Sequence, residues 1–190
     1  MKIAIDIDEV LGSFMPNFIK FYNDKYKTNL TMDELPSYYL YNFLDVTKDD
    51  ITQRLHDFYK TNYFKDIKPI KDAQDSVKKL KENNELFIIT SRQNDIMEET
   101  ERWVKENFPN TFSRIYFTNN LAKTGEVKTK KEFCDLLNVD VLIEDSFEYC
   151  LECISPNRKI FLLDYSWNRN CNLPKEITRV YSWKEIMEKI

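Results

Sequence analysis

Glycine and histidine are nearly missing from this chain: its 190 residues hold 2 glycines and 1 histidine. Gly12 and Gly125 alone can write neither a Walker phosphate loop nor a dinucleotide fingerprint, because both need closely spaced glycines. A lone His56 excludes any centre built on several imidazoles, such as a three-histidine zinc site. Positive charge is also short, 28 Lys+Arg against 32 Asp+Glu for a net charge of −4. A non-specific nucleic-acid binder needs the opposite balance to displace counterions, so no nucleic-acid polymer is expected as partner. No run of about 18 apolar residues occurs, so no membrane span is expected. The opening MKIAIDIDEV carries Asp6, Asp8 and Glu9 where a signal peptide needs an unbroken apolar stretch, which points to a cytoplasmic location. Cys134, Cys150, Cys153 and Cys171 are then reduced thiols. Cys150 and Cys153 form a C-x-x-C in a helical pattern with no second pair to complete a zinc site, and read as small buried residues.

What is present alternates. Lys2–Ile7, Glu85–Thr90, Arg114–Thr118, Asp140–Ile143 and Lys159–Leu163 are short, apolar and rich in β-branched residues, as buried strands are. Helical spacing fills the later gaps, over Lys71–Glu82, Asp95–Phe108, Thr129–Leu137 and Phe147–Cys153. Asp95 with Glu98 and Ser182 with Glu185 stand at capping-box spacing, the second opening a final helix. Strands separated by helices imply crossovers and a parallel sheet. One gap is too long for a crossover. Between Gly12 and Pro69 lie two helical patterns, Phe14–Tyr26 and Asp49–Tyr59, and between them an aromatic turn with Tyr38, Tyr39, Tyr41 and Phe43. The expected division is a core of 1–12 and 70–190 with a helical insert of 13–69. Ligands of open α/β sheets bind beyond the carboxyl ends of the strands, so an insert after the first strand is placed as a lid.

The polar residues at those carboxyl ends carry the chemistry. Asp6 and Asp8 end the first strand, Thr90 and Ser91 the second, and Glu144 and Asp145 the fourth, while Lys128, Lys130 and Lys131 precede the fourth. Each piece alone is ordinary strand-end or loop polarity; together, in this order, they describe one crevice. Several carboxylates in one crevice need a counter-charge, and an all-oxygen set favours Mg2+. Carboxylates, magnesium, a hydroxyl and a lysine together suit a phosphoryl group. Asp6 can act as nucleophile, and Asp8 can protonate the leaving oxygen and then activate water. A chain with one histidine can thus run acid–base chemistry on carboxylates.

The order D-I-D-E-V, I-I-T-S-R, a lysine, then L-I-E-D-S resembles the haloacid dehalogenase-like (HAD) superfamily, and the whole chain resembles the cytosolic type C 5'(3')-deoxyribonucleotidases within it. The tail D-Y-S-W-N-R (Asp164–Arg169) and R-V-Y-S-W (Arg179–Trp183) carry the finer likeness. The resemblance implies an α/β fold, a HAD-like Rossmannoid parallel sheet of five strands in the order 5-4-1-2-3, with a small helical cap after strand 1. It implies Asp6 as nucleophile and metal ligand, and Asp8 as acid/base whose main-chain carbonyl also reaches the metal. Thr90 takes the phosphate, with Ser91 and Arg92 adjacent, and Lys130 is taken as the motif lysine over Lys128 and Lys131. Glu144 and Asp145 complete the magnesium shell, standing where the well-known nucleotidases carry Asp-Asp, and either could bind directly. The implied substrate is a nucleoside monophosphate, with Phe14, Phe18, Tyr38, Tyr39 and Phe43 as candidates to contact it or, the ordinary role of any one of them, to hold the insert's own small core. Phe18 and Tyr39 are the expected substrate contacts. A sugar phosphate or another small phosphomonoester is the alternative. A receiver domain would lack the insert and carry its Asp on a middle strand; a mere binder would not need Asp8. The segment Trp167–Arg169 either contributes to the site or covers a sheet edge, and the second reading is preferred. A homodimer is compatible with this reading.

Overall fold

A computed structural model describes residues 1–37, 39–42, 44, 46–120 and 125–190. Six parallel strands form one sheet in the order β3-β2-β1-β4-β5-β6. They are β1 (Lys2–Ile5), β2 (Glu85–Thr90), β3 (Arg114–Phe117), β4 (Val141–Glu144), β5 (Lys159–Leu163) and β6 (Ile177–Val180). The first five follow the expected order, but the sheet has six strands, not five. The additional edge strand, Ile177–Val180, pairs in parallel with β5, matching Ile160 to Ile177 and Leu163 to Val180. Only its two end residues are buried, so it lacks the continuous apolar run of the central strands.

Period-2 alternation splits the core between the two faces of the sheet. Ile3, Ile5, Ile88, Ile143 and Phe161 face α4 (Ala73–Lys81), α5 (Met97–Asn107) and α8 (Trp183–Lys189), through Val77, Leu80, Val104 and Ile186. Ala4, Ile89, Leu142, Ile160 and Leu162 face α6 (Lys130–Leu137) and α7 (Phe147–Glu152). Cys134, Cys150 and Cys153 are fully buried on this second face. No helix among the described residues is long and apolar enough to cross a membrane.

Between β1 and β2 the chain builds α1 (Phe14–Tyr26), α2 (Lys48–Tyr59) and the short α3 (Asn62–Lys65). Phe14, Met15, Phe18, Ile19, Phe21 and Tyr22 give α1 one apolar stripe, and Lys27 ends it in the left-handed region (φ 58°). Phe58 of α2 is the hub of the packing, with ring centroids 5.1 Å from Phe14, 5.4 Å from Phe18, 5.5 Å from Phe21 and 5.6 Å from Phe64. The segment leaves and rejoins the sheet at one place. Gly12 bridges to Pro69, Ser13 N–H donates to Lys68 O (2.9 Å) and Ile70 N–H to Leu11 O (2.8 Å). A Cβ on Gly12 would stand 3.0 Å from the Trp103 ring, so glycine admits the close approach there. Trp103 in turn donates its indole N–H to Ile67 O at 2.9 Å.

Candidate active site

Asp6 stands one residue past β1, where its N–H still donates to Ile143 O of β4 (3.1 Å), fixing it beside the end of that strand. Lys130 is the first residue of α6, set there by a complete capping box between Thr129 and Glu132. Its ammonium is fully buried, 2.9 Å from Asp6 Oδ1 and 2.8 Å from Glu144 Oε1. Glu144, the last residue of β4, accepts the Asp145 N–H on its other oxygen at 3.1 Å. Ligand oxygens of Asp6, Glu144 and Asp145 lie within 4.8 Å of one another. Lys128 and Lys131 stay at the surface on Glu126 and Asp135.

The electrostatics are those of an under-neutralised pocket. Burial raises the Asp6 carboxyl despite the opposing pull of Lys130. Burial pushes Glu144 up to about 8, and it holds Asp145 well above the carboxylate range, with Glu144 and Asp6 adding to it. Burial alone would lower Lys130, but Asp6 and Glu144 outweigh it and keep the ammonium charged. Three buried acids therefore share one lysine. Both Glu144 oxygens are engaged, whereas no hydrogen bond or ion pair reaches the Asp145 carboxylate among the described residues. The all-oxygen, under-neutralised donor set fits a hard divalent cation.

Thr90, the last residue of β2, is fully buried and its Oγ1 accepts the Arg92 N–H at 3.3 Å. Asp8 turns away from the acid cluster. Its two carboxylate oxygens accept from Arg92, Nε at 3.1 Å and Nη2 at 2.7 Å. Arg92, expected at the phosphate, is thus committed to Asp8, and Asp8 is not in the group of close metal-ligating carboxylates.

A cavity of about 260 Å³ opens above these strand ends. Asp8, Asp145, Ser91 and Arg92 line it from the sheet; Phe14, Met15, Tyr39, Tyr41, Lys48, Ile51, Leu55 and Tyr59 line it from the segment after β1. Burial pushes the Tyr39 hydroxyl up to about 12. Phe18 is not among the lining residues. Its ring is buried between Phe14, Phe21, Tyr22 and Phe58, because its place on α1 faces the aromatic hub rather than the sheet. Tyr38 and Phe43 lie outside the described residues.

Three residues at the site, Glu9, Gln93 and Asn120, were not anticipated, and the Trp167–Arg169 segment reaches it as well. Glu9 is buried in the left-handed region (φ 59°), its carboxyl raised by burial, and it accepts the Met15 N–H at 2.8 Å. It caps α1 in place of Ser13, whose side chain makes no cap bond; an acid shortly before an uncapped helix is the signal for it. Gln93 joins the segment after β1 to the sheet, accepting from Tyr59 Oη (2.9 Å) and donating to Asn120 O (2.8 Å). Asn120 lines the cavity beside it. Asn168 Nδ2 and Trp167 Nε1 both donate to Asp145 O, at 2.8 and 3.2 Å. The Trp167–Arg169 segment therefore clamps the backbone of a site residue, and does more than cover an edge.

A protein-family model described as "5' nucleotidase, deoxy (Pyrimidine), cytosolic type C protein" matches residues 1–190. A nucleotidase of Clostridium acetobutylicum is 28% identical over 187 residues, 98% of this chain and 91% of that protein. A 5'(3')-deoxyribonucleotidase of the same organism is 23% identical over 185 residues, 96% of this chain and 91% of the relative. Among solved structures, a haloacid dehalogenase-like hydrolase from Streptococcus pneumoniae superimposes with a TM-score of 0.68 at 13% identity, covering 99% of this chain and 97% of its own. A Bacillus subtilis HAD-type protein, solved bound to magnesium, gives a TM-score of 0.63 at 13% identity over 99% and 97%.

Proposed function

The chain belongs to the cytosolic type C 5' nucleotidase family, and from that membership we propose a magnesium-dependent 5'(3')-deoxyribonucleotidase that removes phosphate from (deoxy)nucleoside monophosphates. The observation that carries this reading is the buried set of Asp6, Lys130, Glu144 and Asp145 beneath a cavity walled by aromatic side chains. Asp6 is the nucleophile. Its carboxylate attacks phosphorus, the ester P–O bond breaks, and the leaving nucleoside oxygen takes a proton from Asp8. Water then attacks the aspartyl-phosphate, Asp8 accepts its proton, and Asp6 and inorganic phosphate are regenerated. Thr90, Ser91 and the Lys130 ammonium stabilise the charge on the equatorial phosphoryl oxygens. Asp6, Asp145 and the Asp8 main-chain carbonyl would hold the magnesium ion, which supplies Lewis-acid neutralisation of the phosphoryl group. Glu144, with both oxygens occupied, instead fixes Lys130 and the Asp145 backbone.

Tyr39, Tyr41 and Phe14 give the cavity the apolar surface a nucleobase needs, while a sugar phosphate would leave that surface wet. Phosphate release should be measured over deoxyribonucleotides, ribonucleotides and sugar phosphates, with magnesium and with chelator. Magnesium-dependent turnover led by nucleotides is expected. Uniformly poor turnover, or preference for sugar phosphates, would overturn the assignment.

A further inference from the structure

Arg92 is a buried and fully engaged cation outside the acid cluster. Its side chain is 3% exposed, yet the carboxylate it grips is 29% exposed. Nε and Nη2 hold the two Asp8 oxygens, Nη1 donates to Thr100 Oγ1 of α5 at 3.1 Å, and the guanidinium lies 5.3 Å from the Phe64 ring centroid. A fork held on one side by a buried threonine and on the other by a carboxylate is a fixed geometry, because burying a guanidinium is costly unless its partners are well placed. The backbone around Asp8 is fixed separately, since Ile7 O accepts from the N–H groups of Val10, Leu11 and Gly12. The Asp8 side chain is what remains to be oriented.

We propose that Arg92 is a positioning residue for Asp8 rather than a phosphate ligand, holding its carboxylate where the second half-reaction needs a base. This rests on the phosphatase reading above. In that half-reaction the water oxygen bonds to phosphorus, the water proton passes to Asp8, and the Asp6–phosphorus bond breaks. Arg92 touches none of the reacting atoms and acts through the placement of Asp8 alone. A phosphate ligand would present its N–H groups to the cavity; here three of them are taken by Asp8 and Thr100.

The test is rapid mixing with 4-nitrophenyl phosphate, whose leaving group needs no proton. Arg92→Gln should keep a burst of about one nitrophenolate per enzyme and then turn over about 10- to 100-fold more slowly, part of the range of general-base contributions. Inhibition by inorganic phosphate should stay within about twofold of wild type. Arg92→Lys should not rescue turnover, because a single ammonium cannot hold two oxygens in the plane of a fork. In an Asp8→Asn background the Arg92 change should add no further loss. Thr100→Val, which keeps both the arginine and the acid, should give the same pattern in weaker form, and it stands in if Arg92→Gln does not fold by circular dichroism. Loss of the burst, a tenfold weaker phosphate affinity, rescue by lysine or multiplying losses in the double variant would overturn the positioning role. A wild-type protein that releases no phosphate would overturn the phosphatase reading and this one with it.

Discussion

Asp6 and Asp8 are two residues apart and meet different surroundings, one under Lys130 and the other under Arg92. Their variants should therefore fail differently. Asp6→Asn should remove both burst and turnover, a loss of at least about 10⁴-fold, with the melting temperature retained. Asp8→Asn should lower turnover by about 10²- to 10⁴-fold and leave the burst with an activated ester. Equal wild-type rates for either variant would remove that residue from the reaction. The acid cluster also makes a pH prediction. Glu144 rises from its ordinary 4.5 to about 8 by burial, and Asp145 and Glu9 rise for the same reason. Between those values these acids bind more protons in the folded chain than in the unfolded one, so the stability they contribute is fullest below 4.5 and is lost as pH rises through about 8. Chelated protein should melt several degrees lower near pH 8 than near pH 5, at roughly 2–4 °C per kcal/mol for a chain of this size. Magnesium should restore the loss, and Glu144→Gln should flatten the slope. A pH-independent melting temperature in chelator would show that these acids do not titrate with folding. The motif acids were readable because chemistry restricts their residue type and strand ends restrict their place. The pairing of Arg92 with Asp8 could not be read from the sequence, because the two residues are 84 apart in it.

Among the elements, α6 matters most to the proposed reaction, because it places Lys130 at its first residue. Thr129→Ala should cost about 1 kcal/mol of stability through loss of the cap and should also lower kcat, since the ammonium is seated by that first turn. Ser182→Ala removes a comparable cap from α8, where Ser182 Oγ accepts the Glu185 N–H, and should cost similar stability without changing kcat. Paired melting and rate measurements separate the two. Of the capping signals read in the sequence, the one at Ser182 held, where nothing competed for the side chain, and the Thr129–Glu132 box was not singled out. The other failed at Asp95, which lies instead in a 3₁₀ turn ahead of α5, with no cap bond there, and pairs with His56 Nδ1 at 3.0 Å. A tertiary partner outweighed a local one. The edge strand β6 escaped because two of its four residues are half-exposed and polar, leaving no apolar run to read.

Across the whole molecule, the sheet and the long segment after its first strand were legible, since strand composition and an overlong gap are properties of many residues at once. The aromatic side chains were less so. Helical spacing puts Phe14 and Phe18 on one stripe, and only the packed structure separates the ring on the cavity from the ring in the hub. The lacing of residues 11–13 to 68–70 has a consequence for how such a chain can diverge. Because the chain departs and returns at adjoining positions, lengthening what lies between them shifts no strand against its neighbour and adds little closure entropy. The crossover from β5 to β6 has no such freedom, as Trp167 and Asn168 hold Asp145. A short glycine–serine stretch inserted between Thr28 and Asn29 should leave the protein folded and active, while the same stretch between Trp167 and Asn168 should lose activity. Added length is thus accommodated in the part of the chain that lines the cavity, so the space above the strand ends can be reshaped while Asp6, Lys130 and Asp145 stay in register.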